Sequence, residues 1–122
     1  MQKITIINTS RPQARPISAF YYPDFWGKLM GLMFKKKFDS LDSIILDQKK
    51  DNRLNSAIHM LFMNFDIAAI WVNSDMKVVD TRNAKSWALA YFSKGPARYI
   101  IETTLDFLDE YQPGDRLEFR DE

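Results

Sequence analysis

The chain begins with two short runs of β-branched, aliphatic and aromatic residues, separated by a proline-containing polar stretch. The runs are Lys3–Asn8 and Ile17–Tyr22. Such residues favour strands, and a proline in the stretch between them lacks the amide donor that a sheet ladder needs. The pattern therefore predicts two strands joined by a turn.

Apolar residues then recur at four-residue spacing, at Phe25, Leu29 and Met33. This spacing is typical of a helix with one apolar face, and Asp24 before it is a favoured N-cap. The three lysines at 35–37 suit the carbonyl end of a helix dipole. We expect a helix that begins after Asp24 and packs on the core.

The second half of the chain returns to strand-like patterns. Short apolar runs separated by polar turns predict antiparallel strands in the middle of the chain, and a polar stretch at 47–55 predicts a surface loop. Mixed residues at 82–95 predict irregular structure, and three-residue spacing from Leu105 to Tyr111 predicts a short helix that Pro113 ends. The predicted strands are 43–46, 57–63, Ile67–Val72, 77–80, Ala97–Thr103 and 116–119.

The composition indicates a globular chain that folds without disulfides or a structural metal ion. Hydrophobic residues make up 46% of the 122 residues and aromatic residues 14%. A chain of this size and apolar content can bury enough surface to fold as one domain, which we place at residues 1–122. The absence of cysteine excludes disulfides, thiolate metal sites and cysteine nucleophiles. The fold class expected from the pattern is α+β, mainly strands with two short helices.

The charge balance and hydropathy of the chain argue against nucleic acid and membranes as partners. Seventeen basic and sixteen acidic residues give a formal charge of +1, which is too balanced to draw the protein onto nucleic acid. The longest apolar stretch, residues 57–72, contains His59, Asn64 and Asp66, so no membrane span is predicted. The apolar run at the start of the chain is too short for a secretory signal. We expect a soluble, cytoplasmic protein.

The chain contains none of the standard motifs for phosphate loops, zinc proteases, serine hydrolases or calcium loops. The search for an enzyme therefore depends on His59, because histidine titrates near neutral pH and general acid–base catalysis needs such a group. His59 lies within a strand-like apolar run. This position favours a structural histidine over a catalytic or ligand-binding one.

Two further patterns have structural interpretations. His59 with Met60 and Met63 offers soft ligands for copper, but neighbouring residues of a strand point to opposite faces, so no metal site is predicted. Gly27 and Gly31 are four residues apart on the predicted helix, where missing side chains allow close packing against the sheet.

Several motifs follow one another along most of the chain. Their residues are Gly31, Leu32, Met33 and Phe34; Ile58, His59, Met60, Phe62, Met63 and Phe65; Val78 and Val79; Trp87; Ala97, Tyr99 and Glu102; and Gly114 and Asp115. This order and spacing resemble a family of unknown function, DUF192, and make chance a poor explanation.

The resemblance implies a small β-rich barrel or roll with a helix packed on it, and it implies no established activity. The chain departs from the family pattern at several positions. Members of the family usually carry Asp where Ala68 stands, Arg where Lys28 stands, Pro-Trp where Ser86 and Trp87 stand, and a Gly soon after Glu102. The loss of that Asp argues against a shared catalytic function.

These observations favour a non-enzymatic module that binds a small molecule or a protein in a shallow apolar pocket. No catalytic residue, metal or cofactor is assigned. The alternative is an enzyme with His59 as general acid or base, and a third, weaker hypothesis is stacking of single-stranded bases on exposed aromatic residues. The residues expected to line the pocket are His59, Met60, Met63, Trp87, Gly31 and Lys28.

Overall fold

Seven β-strands and one short helix make up the part of the chain that the computed structural model describes, residues 2–23, 43–52, 66–85 and 91–122. The helix is of the 3₁₀ type and spans Leu105–Glu110. The strands are β1 (Lys3–Asn8), β2 (Ile17–Tyr22), β3 (Ser43–Asn52), β4 (Ile67–Val72), β5 (Val78–Ala84), β6 (Ala97–Thr103) and β7 (Leu117–Asp121).

The strands form one mixed sheet in the order β5-β4-β6-β3-β2-β1-β7. Neighbours pair antiparallel except β2 and β3, which are parallel. The sheet curls into a half-barrel, and the beginnings of its two outermost strands meet. The Val78 N–H donates to the backbone carbonyl of Asp115, and the Leu117 N–H donates to the backbone carbonyl of Met76. Both hydrogen bonds are 2.8 Å long.

Apolar side chains cover both faces of this sheet. One cluster includes Trp71 and defines what we call the Trp71 face; the other includes Ile70 and defines the Ile70 face. Since consecutive strand residues point to opposite faces, a strand covered on both sides is an unbroken apolar run, as β4 is. The other buried residues of the Trp71 face are Tyr22, Ile44, Leu46, Ile67, Ala69, Ala84, Ala97 and Ile100.

The junction before β7 contains a buried carboxylate, that of Asp115. Asp115 Oδ2 accepts hydrogen bonds from Asn8 Nδ2 (2.8 Å), Arg11 Nε (2.8 Å) and the Gln112 N–H (2.9 Å). Burial alone would raise the pKa of Asp115, but these donors lower it below its ordinary value. Gly114 has a φ of +93°, which glycine adopts without steric cost. The Gly-Asp pair of the sequence pattern therefore has a structural role at this junction.

The predicted bounds of β1, β2, β4 and β6 are confirmed, and the short helix near the C-terminus is confirmed as a 3₁₀ helix. Two predictions of loop structure are wrong. β3 continues through the polar stretch to Asn52, and β5 continues to Ala84. Both extensions are strands because their backbone groups pair with β6 and β4, and backbone pairing tolerates polar side chains.

The predicted fold class needs correction. The described chain is mostly β with one short helix, and its sheet is a mixed half-barrel instead of an antiparallel one. The parallel pair is formed by β2 and β3, which the sequence separates by twenty residues of predicted helix and loop. The predicted helix that begins after Asp24 and the predicted strand at 57–63 lie outside the described residues.

Replacement of Leu46 by Ala should destabilise the protein by about 2 to 5 kcal/mol, because Leu46 is fully buried on the Trp71 face and its loss leaves a cavity. The matched control is Leu105→Ala, at an exposed leucine, with an expected loss below about 1 kcal/mol. Urea unfolding of both variants measures the difference. Equal losses would contradict the assigned core.

Candidate functional site

Glu102 occupies the middle of the sheet on the Trp71 face. Its strand, β6, pairs on one side with β3 and on the other with β4, so that Ile44 and Ala69 are the Cα partners of Glu102. The side chain is only 5% exposed. The strand forms at this position because Ile100 and Ile101 precede Glu102 and are buried on opposite faces.

The carboxyl group of Glu102 has no hydrogen bond or ion pair within the described ranges. Burial is the cause that raises its pKa, from 4.5 to about 7. A carboxyl group with this pKa exists in both forms at neutral pH. It can therefore donate a proton to a ligand, accept a hydrogen bond from one, or pair with a cation.

A cationic side chain lies on the same face, two strands away. Arg82 is the Cα partner of Ala69 on β5, so the row across the sheet reads Glu102, Ala69, Arg82. Arg82 Nε is 3.6 Å from Asp80 Oδ2. Ala69 is thus the residue of this row that lies between Glu102 and Arg82.

A second polar cluster lies on the Ile70 face around Asp47, which is fully buried. Its two carboxylate oxygens accept from Arg98 Nε (3.0 Å) and Nη2 (3.2 Å), from the Tyr21 hydroxyl, and from the Lys49 N–H (2.7 Å). Burial alone would raise the pKa of Asp47, but these donors together lower it. Asp47 is therefore a carboxylate at neutral pH.

Lys49 has an unusual backbone conformation, with a φ of +74°. The β3–β6 register shifts between Asp47 and Asn52, and Lys49 lies within that irregularity. The conformation places Lys49 Nζ 3.4 Å from the Tyr21 hydroxyl and 3.7 Å from Asp47 Oδ2. Burial and the neighbouring Asp47 raise the pKa of Tyr21, which keeps its hydroxyl protonated.

All six residues predicted to line a pocket lie outside the described residues: His59, Met60, Met63, Trp87, Gly31 and Lys28. Their assignment stays a prediction. Ala68, where the family usually has Asp, is described: it is fully buried in β4 opposite Thr103, whose hydroxyl is 2.7 Å from that of Ser43.

Sequence reasoning did not assign Glu102 or Asp47 to a site. Glu102 was part of the family pattern, and a charged residue that directly follows Ile100 and Ile101 is the signal that could have singled it out. Asp47 gives no such signal, because it opens a polar stretch and its main partner, Arg98, is fifty-one positions away.

Two kinds of site are not found in the described ranges. No helix there has the length and apolar character needed to cross a membrane. Over the same residues, no group of three or more His, Cys, Asp or Glu side chains converges as metal ligands would.

The family to which the chain belongs is DUF192, whose description is "Uncharacterized ACR, COG1430". The family model matches residues 6–119. This match includes the Glu102 strand, the Asp47 strand and the Asp115 junction. The resemblance inferred from the residue pattern is thereby confirmed.

Relatives in archaea bear the name UPF0127 protein. UPF0127 protein PF1050 of Pyrococcus furiosus is 31% identical over 116 residues, which cover 93% of this chain and 97% of the relative. UPF0127 protein TK1120 of Thermococcus kodakarensis is 36% identical over 97 residues, which cover 80% of this chain and 60% of the relative. This chain thus spans only part of the second relative.

Two crystal structures have the same fold. Protein R01717 of Sinorhizobium meliloti, described as a candidate transcription regulator, superposes with a TM-score of 0.77 over 97% of this chain and 92% of its own, at 18% identity. A protein of unknown function from Novosphingobium aromaticivorans superposes with a TM-score of 0.74 over 95% and 83%, at 17% identity. At these identities the likeness concerns the fold alone.

The Glu102 carboxyl predicts a pH dependence of stability. Its pKa is higher in the folded than in the unfolded chain, so the folded state binds the extra proton between the two values. The contribution of Glu102 to the free energy of unfolding should therefore fall by about 3 kcal/mol as pH rises from about 4.5 to about 7. Glu102→Gln should remove this fall, and urea unfolding between pH 4 and 8 measures it.

The matched control for this experiment is Glu118→Gln, because Glu118 is a partly exposed glutamate on β7 that pairs with Arg120 at the surface. This control should retain the wild-type pH profile. A Glu102→Gln profile parallel to wild type would show that the Glu102 carboxyl is solvated or paired in the folded state.

Proposed function

We propose that this protein is a non-enzymatic module that binds a small molecule at the Glu102 carboxyl group. The observation that carries the proposal is a buried carboxyl group with no partner in the described ranges. A ligand that donates a hydrogen bond or carries a positive charge would stabilise a carboxyl group in such apolar surroundings.

The surroundings of Glu102 suggest the rest of the ligand. Ile44 and Ala69 flank it across the strands, and Ile100 lies two residues before it on the same face. Binding sites for small molecules combine such apolar walls with a few polar groups that orient the ligand. The expected ligand has an apolar body and one amine, amide or hydroxyl group that reaches Glu102.

The proposal retains the pocket residues predicted from sequence. They lie outside the described residues, so their contact with the ligand is part of the proposal: His59, Met60, Met63, Trp87, Gly31 and Lys28.

The test is a thermal-shift screen of the wild-type protein against a library of metabolites that includes amines and amides. A ligand of the native state should raise the melting temperature by mass action, and Glu102→Gln should weaken that shift while Glu118→Gln preserves it. Absence of any shift across a broad library would contradict the proposal. So would a shift that Glu102→Gln leaves unchanged.

A second candidate function is acid–base catalysis, because a carboxyl group with a pKa of about 7 is suited to transfer protons at neutral pH. In this function Glu102, and His59 as predicted from sequence, would act as acid and base. Substitution of His59 by Ala separates the roles of that residue. A lowered melting temperature indicates a structural histidine, whereas an unchanged fold with lost turnover of an identified ligand indicates catalysis.

A further inference from the structure

We propose a second binding site, for a small oxyanion such as a phosphate or carboxylate group, between Lys49 and Arg98 on the Ile70 face. It is independent of Glu102, which lies on the Trp71 face. Lys49 Nζ is 3.7 Å from Asp47 Oδ2 and Arg98 Nη2 is 3.2 Å from the same oxygen. The two nitrogens are thus close enough for one phosphate or carboxylate group to accept hydrogen bonds from both.

Both cations keep donors available. Arg98 uses Nε and Nη2 for Asp47, and its Nη1 group donates no hydrogen bond within the described part of the chain. The side chains of Arg98 and Lys49 are 29% and 59% exposed, whereas Asp47 is fully buried. Solvent therefore reaches the cations and does not reach the carboxylate that holds them in place.

The charge of the cluster favours an anion. Asp47 compensates one of the two positive charges, so Lys49, Arg98 and Asp47 together carry a net charge of +1. Asp51 is the other acidic residue of this segment, and its Oδ1 already accepts from the Ser74 N–H (2.9 Å) and hydroxyl (3.1 Å).

The cationic groups of Arg98 and Lys49 each contact an aromatic ring. Arg98 lies over the ring of Tyr99, 4.8 Å from its centroid, and Lys49 Nζ lies 5.8 Å from the centroid of Tyr21. The Tyr21 hydroxyl also donates to Asp47. These contacts restrict the two side chains before any ligand arrives, which lowers the entropy that binding would cost.

The backbone at Lys49 provides the second argument. A φ of +74° is unfavourable for lysine and is readily adopted by glycine or asparagine. Strained backbone positions of this kind concentrate at functional sites, where they hold a side chain in the position that binding or catalysis requires. Here the strained conformation brings the Lys49 ammonium group to Tyr21 and Asp47, so a lysine at this position has a role that glycine would lack.

The experiment is calorimetric titration of the full chain with inorganic phosphate, and separately with acetate and sulfate, at low ionic strength and pH 7. Lys49→Gly and Lys49→Asn remove the ammonium group in a backbone conformation that suits the new residue, so their melting temperatures should equal or exceed that of wild type. Loss of one charged contact should weaken phosphate binding by about tenfold.

The control is Lys50→Ala, which removes the same charge from the neighbouring exposed lysine and should weaken binding by less than about twofold. The ratio of phosphate to acetate affinity identifies the preferred oxyanion. Three results would overturn the proposal: no saturable binding of any of the three anions to wild type, unchanged affinity in both Lys49 variants, or an equal loss in Lys50→Ala.

Discussion

The structure depends on three adjacent strands, β3, β6 and β4, which are hydrogen-bonded on both edges and covered by side chains on both faces. Water reaches little of this region, so polar groups within it need partners from the protein. The hydroxyl groups of Ser43 on β3 and Thr103 on β6 form a hydrogen bond with each other. A buried polar side chain in these strands is therefore either part of the architecture or a feature that needs explanation.

Two carboxyl groups of this region differ in their partners. Asp47 has Arg98, Tyr21 and a backbone donor, and its pKa is lowered despite its burial. Glu102 has no such partners among the described residues, and burial raises its pKa. Desolvation raises the pKa of both groups. The difference lies in their donors, which is why Glu102 is the stronger candidate for contact with a ligand.

Two of the family motifs differ in the same way. The Gly-Asp pair belongs to the junction at which β7 begins, where Asp115 binds Asn8, Arg11 and the Gln112 amide. The glutamate of the Glu102 strand has no comparable role. Ala68 pairs with Thr103 on the Ile70 face, so its side chain points away from Glu102 on the Trp71 face.

The sequence by itself determined the strands whose residue types and periodicity agree, namely β1, β2, β4 and β6, and it determined the family through the order of its motifs. It did not determine the extension of β3 and β5 through polar residues, the parallel pairing of β2 with β3, or the environments of Glu102 and Asp47. Strand propensity is local, whereas pairing and desolvation depend on residues far apart in the chain. Only the tertiary structure brought Arg98 to Asp47 and left Glu102 buried between Ile44 and Ala69.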